Sequence, residues 1–244
     1  MKQQLVIYGA ANDGLRNPAA GVPAVCATLP EEITLAANEE CSLVLIVLPE
    51  SAKPAAGRLA PATPSDPEAA PATTPAELSL RVKLTGRGAA FRFHALCLGT
   101  GSDHFSLRTE VEHLCPDASS DQLIRCIAGG NSRLSFDGLI KVHPDAQRTQ
   151  ALQTSNNLLL TDTAKVATAP QLEIYADDVK CSHGATTGSL DEEEQFYMRS
   201  RGISLEKARL LQLRSFVHPV LEAVEDEKRR EELTSFVAEA LSAL

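Results

Sequence analysis

No apolar run in the 244-residue sequence is long enough to cross a bilayer. The longest, "LVLIVL" at Leu43 to Leu48, falls far short of the roughly 20 residues a spanning helix needs, so no membrane span is expected. The N-terminal "MKQQLVIYGAAND" has one lysine and a very short apolar stretch before polar residues return. That is not the pattern of a secretory signal, and a cytoplasmic location is the expectation. Positive charge is also scarce: Lys and Arg total 23 against 32 Asp and Glu, for a net charge of -9. Without a basic stripe interleaved with aromatics, nucleic acid is not an expected ligand. The six cysteines, at 26, 41, 97, 115, 126 and 181, never form a C-x-x-C, which excludes thioredoxin, zinc-ribbon and ferredoxin spacings. No G-x-x-x-x-G-K-[ST] occurs, and the glycine pairs Gly86/Gly88 and Gly99/Gly101 open no helix after a strand. The chain by itself is therefore not expected to bind nucleotide.

What remains is a soluble, globular pattern with 43% apolar residues. Residues 49–76, "PESAKPAAGRLAPATPSDPEAAPATTPA", hold half of the chain's 14 prolines. Alanine and small polar residues make up most of the rest, a composition that cannot build a ladder or a core and reads as an extended loop. On both sides of it come short strand signals separated by turn residues, with period-2 alternation plain in Leu78 to Leu84 and Phe91 to Leu98. Their starts recur at irregular intervals of roughly 10 to 20 residues, which fits a sandwich or a β-solenoid. Asn156 and Asn157 in "SNNLLLTDT" suit the polar corners of stacked coils and lean toward the solenoid. Cys26, Cys41, Cys97 and Cys126 lie in or beside apolar runs and read as small buried hydrophobes.

After Gly188 the grammar becomes helical. Ser189 with Glu192 makes an S-x-x-E capping box, and Asp191 to Glu194 load the first turn with favourable negative charge. This helix should run to about Ser200, with Gly202 as its stop. Ser204 can cap a second helix with Leu205, Ala208, Leu210 or Leu211, Phe216 and Val217 on its apolar face. A third is expected from about Pro219, carrying Val220, Leu221, Val224, Leu233, Phe236, Val237, Ala240 and Leu241, with "EDEKRREE" as a solvated face. The expected organisation is a mostly β body over 1–188 and a small α-helical domain over 189–244.

Of the residues that could carry chemistry, His94, His104 and His113 lie among strand signals without a second ligand at a recognised spacing. Cys181 and His183 differ, because an i, i+2 pair on extended backbone points one way and offers two donors suited to iron or zinc. Three readings stand side by side at this point. The pair is half of a metal shell completed from elsewhere, a Cys-His nucleophile pair, or plain strand-end residues.

The block "HPDAQRTQALQTSNNLLLTDTAKVATAPQLEIYADDVKCSHGATTGSLDEEEQFYMRSRGIS", residues 143–204, resembles the signature region of the SufB/SufD family of iron-sulfur cluster assembly proteins. "PQLEIYADDVKCSHGAT" followed by "FYMRSRGI" is closer to the SufD branch. The family's usual N-terminal helical domain has no evident counterpart in this sequence. The resemblance implies a right-handed parallel β-helix core followed by a C-terminal helical domain. It implies a noncatalytic scaffold that pairs with a SufB-like subunit, β-helix to β-helix, and docks the ATPase SufC through the helices; a homodimer through the same edge is the alternative assembly. A nascent iron-sulfur cluster would be shared with the partner subunit at His183, with Cys181 beside it in a secondary role. Two rival functions remain: a structural interaction module with no ligand role, and a β-helix polysaccharide hydrolase or lyase using Asp177 and Asp178.

Overall fold

The computed structural model describes residues 2–8, 25–26, 29–49, 76–242 and 244. Apart from its two end residues, the Pro/Ala-rich stretch 49–76 lies outside the described residues, as does the side chain of Cys26. Among the described residues no helix is long and apolar enough to cross a membrane.

Strands come first: β1 (Lys2–Tyr8), β2 (Val25–Cys26), β3 (Glu32–Leu35), β4 (Glu40–Val47), β5 (Ala76–Leu84), β6 (Ala90–Gly99), β7 (His104–His113), β8 (Ser119–Ala128), β9 (Arg133–Val142), β10 (Gln150–Leu159), β11 (Lys165–Ile174) and β12 (Lys180–Gly188). Three helices follow, α1 (Glu192–Ser200), α2 (Leu205–Glu222) and α3 (Glu227–Ser242). From β3 onward the strands alternate between two parallel sheets, ordered β12-β10-β8-β6-β4-β1-β2 and β11-β9-β7-β5-β3. A chain that visits two sheets in turn and always returns parallel is a coil, so the body is a parallel β-solenoid of about four turns rather than a sandwich. The irregular spacing of the sequence reading is corrected here: from Ala76 to Lys180, strands start every 14 to 17 residues, two to a coil. Ala90 stacks on Ser119, Ser119 on Gln150 and Gln150 on Lys180. The step from Glu40 to Ala90 is longer because that coil contains residues 50–75.

In parallel register, side chains on one face form columns along the solenoid axis. The lumen column of β6, β8, β10 and β12 begins with Phe91, Ser120, Ala151 and Cys181, and the next is Phe93, Gln122, Gln153 and His183. These two columns are thus aromatic at β6 and largely polar from β8 onward. β4 explains the longest apolar run, because it is buried on both faces. Leu43, Leu45 and Val47 join the lumen core, while Val44, Ile46 and Leu48 join a second core with α2 and α3. Gly88 and Gly101 prove to be corner residues, with φ of +72° and +55°, where an L side chain would be strained. Asn156 and Asn157 lie inside β10 rather than at a corner.

The helices depart from the reading in two places. Asp191, not Ser189, is the N-cap of α1, its carboxylate accepting from the Glu193 and Glu194 N–H groups. Pro219 lies inside α2, where the backbone bond it cannot donate falls in the last turns and is tolerated. The break comes later, and the Asp226 carboxylate accepts from the Arg229 N–H to start α3. Ser204 caps α2 and Gly202 is left-handed after α1, both as expected. Leu213, Val217, Val220 and Leu221 of α2 and Leu233, Val237, Ala240 and Leu241 of α3 face the outer surface of the first sheet. Arg125 pins this layer from β8, lying 4.8 Å over the Phe216 ring while donating to the Phe216 carbonyl.

His113 is fully buried inside the solenoid, its Nε2 2.8 Å from Ser120 Oγ. Burial lowers its pKa from 6.5 to about 4. Because the unfolded chain takes up the proton first, the stability is complete above about pH 6.5 and is lost as pH falls toward 4, by about 3 kcal/mol. Urea titrations of the wild type and a His113→Gln variant should diverge over that window, with the variant showing the shallower acid loss; parallel curves would refute the assignment.

Candidate functional site

A solenoid buries the lumen side chains of each coil under those of the next. The last coil has no successor within the described residues, and its inward face opens along the axis. β12 is the terminal strand of one sheet and β11 of the other, each with a single described neighbour, so two ladder edges lie unpaired side by side. Pro170, midway along β11, is tolerated because an edge strand has a side on which no N–H is needed.

"KCSHGATTG" forms β12 through pairing to β10 over its whole length. Asn157, buried in β10, donates from Nδ2 to the Thr186 carbonyl at 3.0 Å and to Thr187 Oγ1 at 3.3 Å. Asn156 donates to Thr186 Oγ1 at 2.8 Å from the other face. These amides hold the last strand in register, and across the lumen Thr168 of β11 donates to Ser155 at 3.1 Å.

Cys181 and His183 fall on the same lumen-side face of β12, in register with Ala151 and Gln153. The structure separates their environments. Cys181 is half-buried against the lumen core. Burial raises its thiol pKa, a shift partly opposed by a backbone hydrogen bond with Ala151. It is therefore held as a thiol more firmly than an exposed cysteine. His183 is exposed, and among the described residues nothing bonds to its ring. Among the described residues no three His, Cys, Asp or Glu side chains gather as a metal-binding group.

The remaining candidates disperse. His143 pairs with Glu112 at 3.2 Å and His218 with Glu222 at 3.0 Å, while His113 is sealed in the core. Asp177 and Asp178 lie in the bend between β11 and β12, where the Asp178 backbone N–H donates to Gln147 in the corner of the preceding coil. They are turn residues stacked on a turn. Cys41, Cys97 and Cys126 are buried as expected. What sequence reasoning missed is the setting of His183: the outer edges of β11 and β12, unpaired among the described residues, and the buried Gln153 in the coil beneath. Only the regular strand spacing signals them.

Residues 75–216 match the SufBD core domain of the SUF system for iron-sulfur cluster assembly. The chain is 39% identical over 159 residues to the iron-sulfur cluster assembly protein SufD of Escherichia coli, covering 65% of this chain and 38% of that one. It is 42% identical over 146 residues to the chloroplastic protein ABCI7 of Arabidopsis thaliana, covering 59% and 30%. A SufBD family protein of Mycobacterium leprae is 30% identical over 173 residues, covering 68% and 44%. The matched region thus spans less than half the length of each relative.

Proposed function

Because the chain belongs to the SufBD family of iron-sulfur cluster assembly proteins, we propose that it is a noncatalytic scaffold subunit that joins a SufB-like subunit end to end and docks the SufC ATPase on its helices. The nascent cluster is cargo, held between subunits with His183 as this chain's ligand and Cys181 in a secondary role. One observation supports the reading: the imidazole stands exposed at the end of a solenoid whose two last strands each have one edge without a partner among the described residues. An incomplete shell at such an end gains its other ligands when a partner arrives, and gives the cluster up when the partner moves. The helices share an apolar core with the outer face of the solenoid, so an ATPase-driven shift of α2 and α3 would be passed to the coils.

The test is an obstruction of the end. Ala185 lies on the lumen-side face of β12, two residues after His183, and is exposed. Ala185→Glu leaves the charge in water in the free chain but buries it unpaired in the joint, at a cost of several kcal/mol. Affinity for a co-expressed SufB-like subunit is expected to fall by at least about 30-fold with the melting temperature unchanged. Undiminished pairing would reject the end-to-end arrangement.

A further inference from the structure

We propose that Gln153 positions His183, its buried carboxamide oxygen accepting the N–H of the ring so that the second ring nitrogen is presented at the open end. This rests on His183 being a cluster ligand. Gln153 is 0% exposed, and neither its amide oxygen nor its amide nitrogen has a hydrogen-bond partner among the described residues. A buried unpaired amide costs about 1–3 kcal/mol, so its presence calls for a compensating role.

The coil beneath shows such a group half satisfied, its oxygen paired and its amide nitrogen buried without a partner among the described residues. There Gln122, in register with Gln153, accepts at 3.0 Å from Thr109, which faces it across the lumen. The residue facing Gln153 is Gly138, which has no side chain to offer. A Cβ at that position would come within 2.4 Å of Gln153 Nε2, so glycine keeps room for the carboxamide while leaving it without a partner. The neighbours left to it lie along the column: Gln122 on one side and His183 on the other. When a partner closes the lumen, the exposed imidazole is pressed over Gln153. A carbonyl oxygen taking the ring N–H fixes the tautomer and leaves the other nitrogen's lone pair free for iron.

The experiment uses the full chain assembled with its SufB-like subunit and SufC, and the variants Gln153→Met and Gln153→Leu. Each removes the unpaired amide at similar volume, so both should fold with equal or higher thermal stability. Each should nevertheless lose cluster about 10 to 100 times faster than wild type, with altered nitrogen couplings in pulsed EPR of the reduced cluster. His183→Ala serves as the reference and should abolish those couplings. If His183→Ala keeps both cluster and couplings, the ligand reading falls and takes this inference with it. If His183→Ala loses them but the Gln153 variants keep wild-type lifetime and couplings, the positioning role alone is overturned. Failure of both Gln153 variants to fold would make the amide structural, and would also overturn it.

Discussion

A His183→Ala chain assembled with a SufB-like subunit and SufC is expected to yield an intact complex whose iron and acid-labile sulfide fall at least tenfold, toward background. The two halves of this outcome have separate physical causes. Assembly survives because the ring makes no hydrogen bond or ion pair among the described residues and is exposed, so its removal should cost the fold no more than about 0.5 kcal/mol. Register in β12 is kept by its pairing to β10 and by the Asn156 and Asn157 amides, none of which involve the imidazole. The cluster should be lost because, in the proposed shared site, no group of His, Cys, Asp or Glu side chains gathers among the described residues to substitute on this side. Cys181 is the nearest donor, but its thiol is half-buried with a raised pKa, and exchanging it for the imidazole would require drawing it out of the lumen core. Cys181→Ala should therefore retain more than half of the wild-type iron. Iron and sulfide assays with the visible absorption spectrum decide the matter; wild-type cluster content in His183→Ala would reject the ligand role.

The contrast between those two residues marks how far the sequence could be read. Spacing alone put Cys181 and His183 on one face, and the register bears that out. It could not show that one lies against the core while the other stands free, because that difference arises from the end of the stack. The interior of the middle coils was legible in the same way, since Phe91, Phe93, Ala95 and Cys97 alternate with outward residues and are buried as alternation requires. The coil repeat was not. Its period lies in register rather than in recurring residues, since a single column runs Phe93, Gln122, Gln153 and His183 with nothing chemically constant. The stretch 50–75 interrupts the count as well. Apolar periodicity in the helices found most of their inward faces, though it placed the exposed Leu205 there and missed the buried Leu213; the N-cap of α1 turned on which of two neighbouring oxygens reaches the free N–H groups.

Those inward faces decide where the ATPase is expected to bind. Phe216, Leu221 and Phe236 are the obvious apolar landmarks of the helical segment, yet all three pack into the core shared with the solenoid, and Phe216 is covered by Arg125. The aromatics left for a partner are Phe196, 72% exposed, and Tyr197, 59% exposed, on α1. Leu205 at the start of α2 lies with Phe196 along the same depression. Large side chains held rigidly on a helix lose little entropy on docking and remove much apolar surface from water, which is why truncating such anchors typically costs about 2 kcal/mol or about 30-fold in affinity. The double variant Phe196→Ala, Tyr197→Ala is accordingly expected to weaken SufC binding by at least about 100-fold, short of full additivity because the two residues are adjacent. Its thermal unfolding should match wild type, since α1 buries only Gln195. Phe216→Ala should do the reverse. It removes an aromatic ring from the second core and leaves the Arg125 guanidinium without its ring contact, lowering stability while the folded fraction binds SufC normally. Calorimetric titration of SufC into each folded variant separates the cases; an unchanged affinity in the double variant would move the docking surface off α1, and a loss in folded Phe216→Ala would implicate α2 instead.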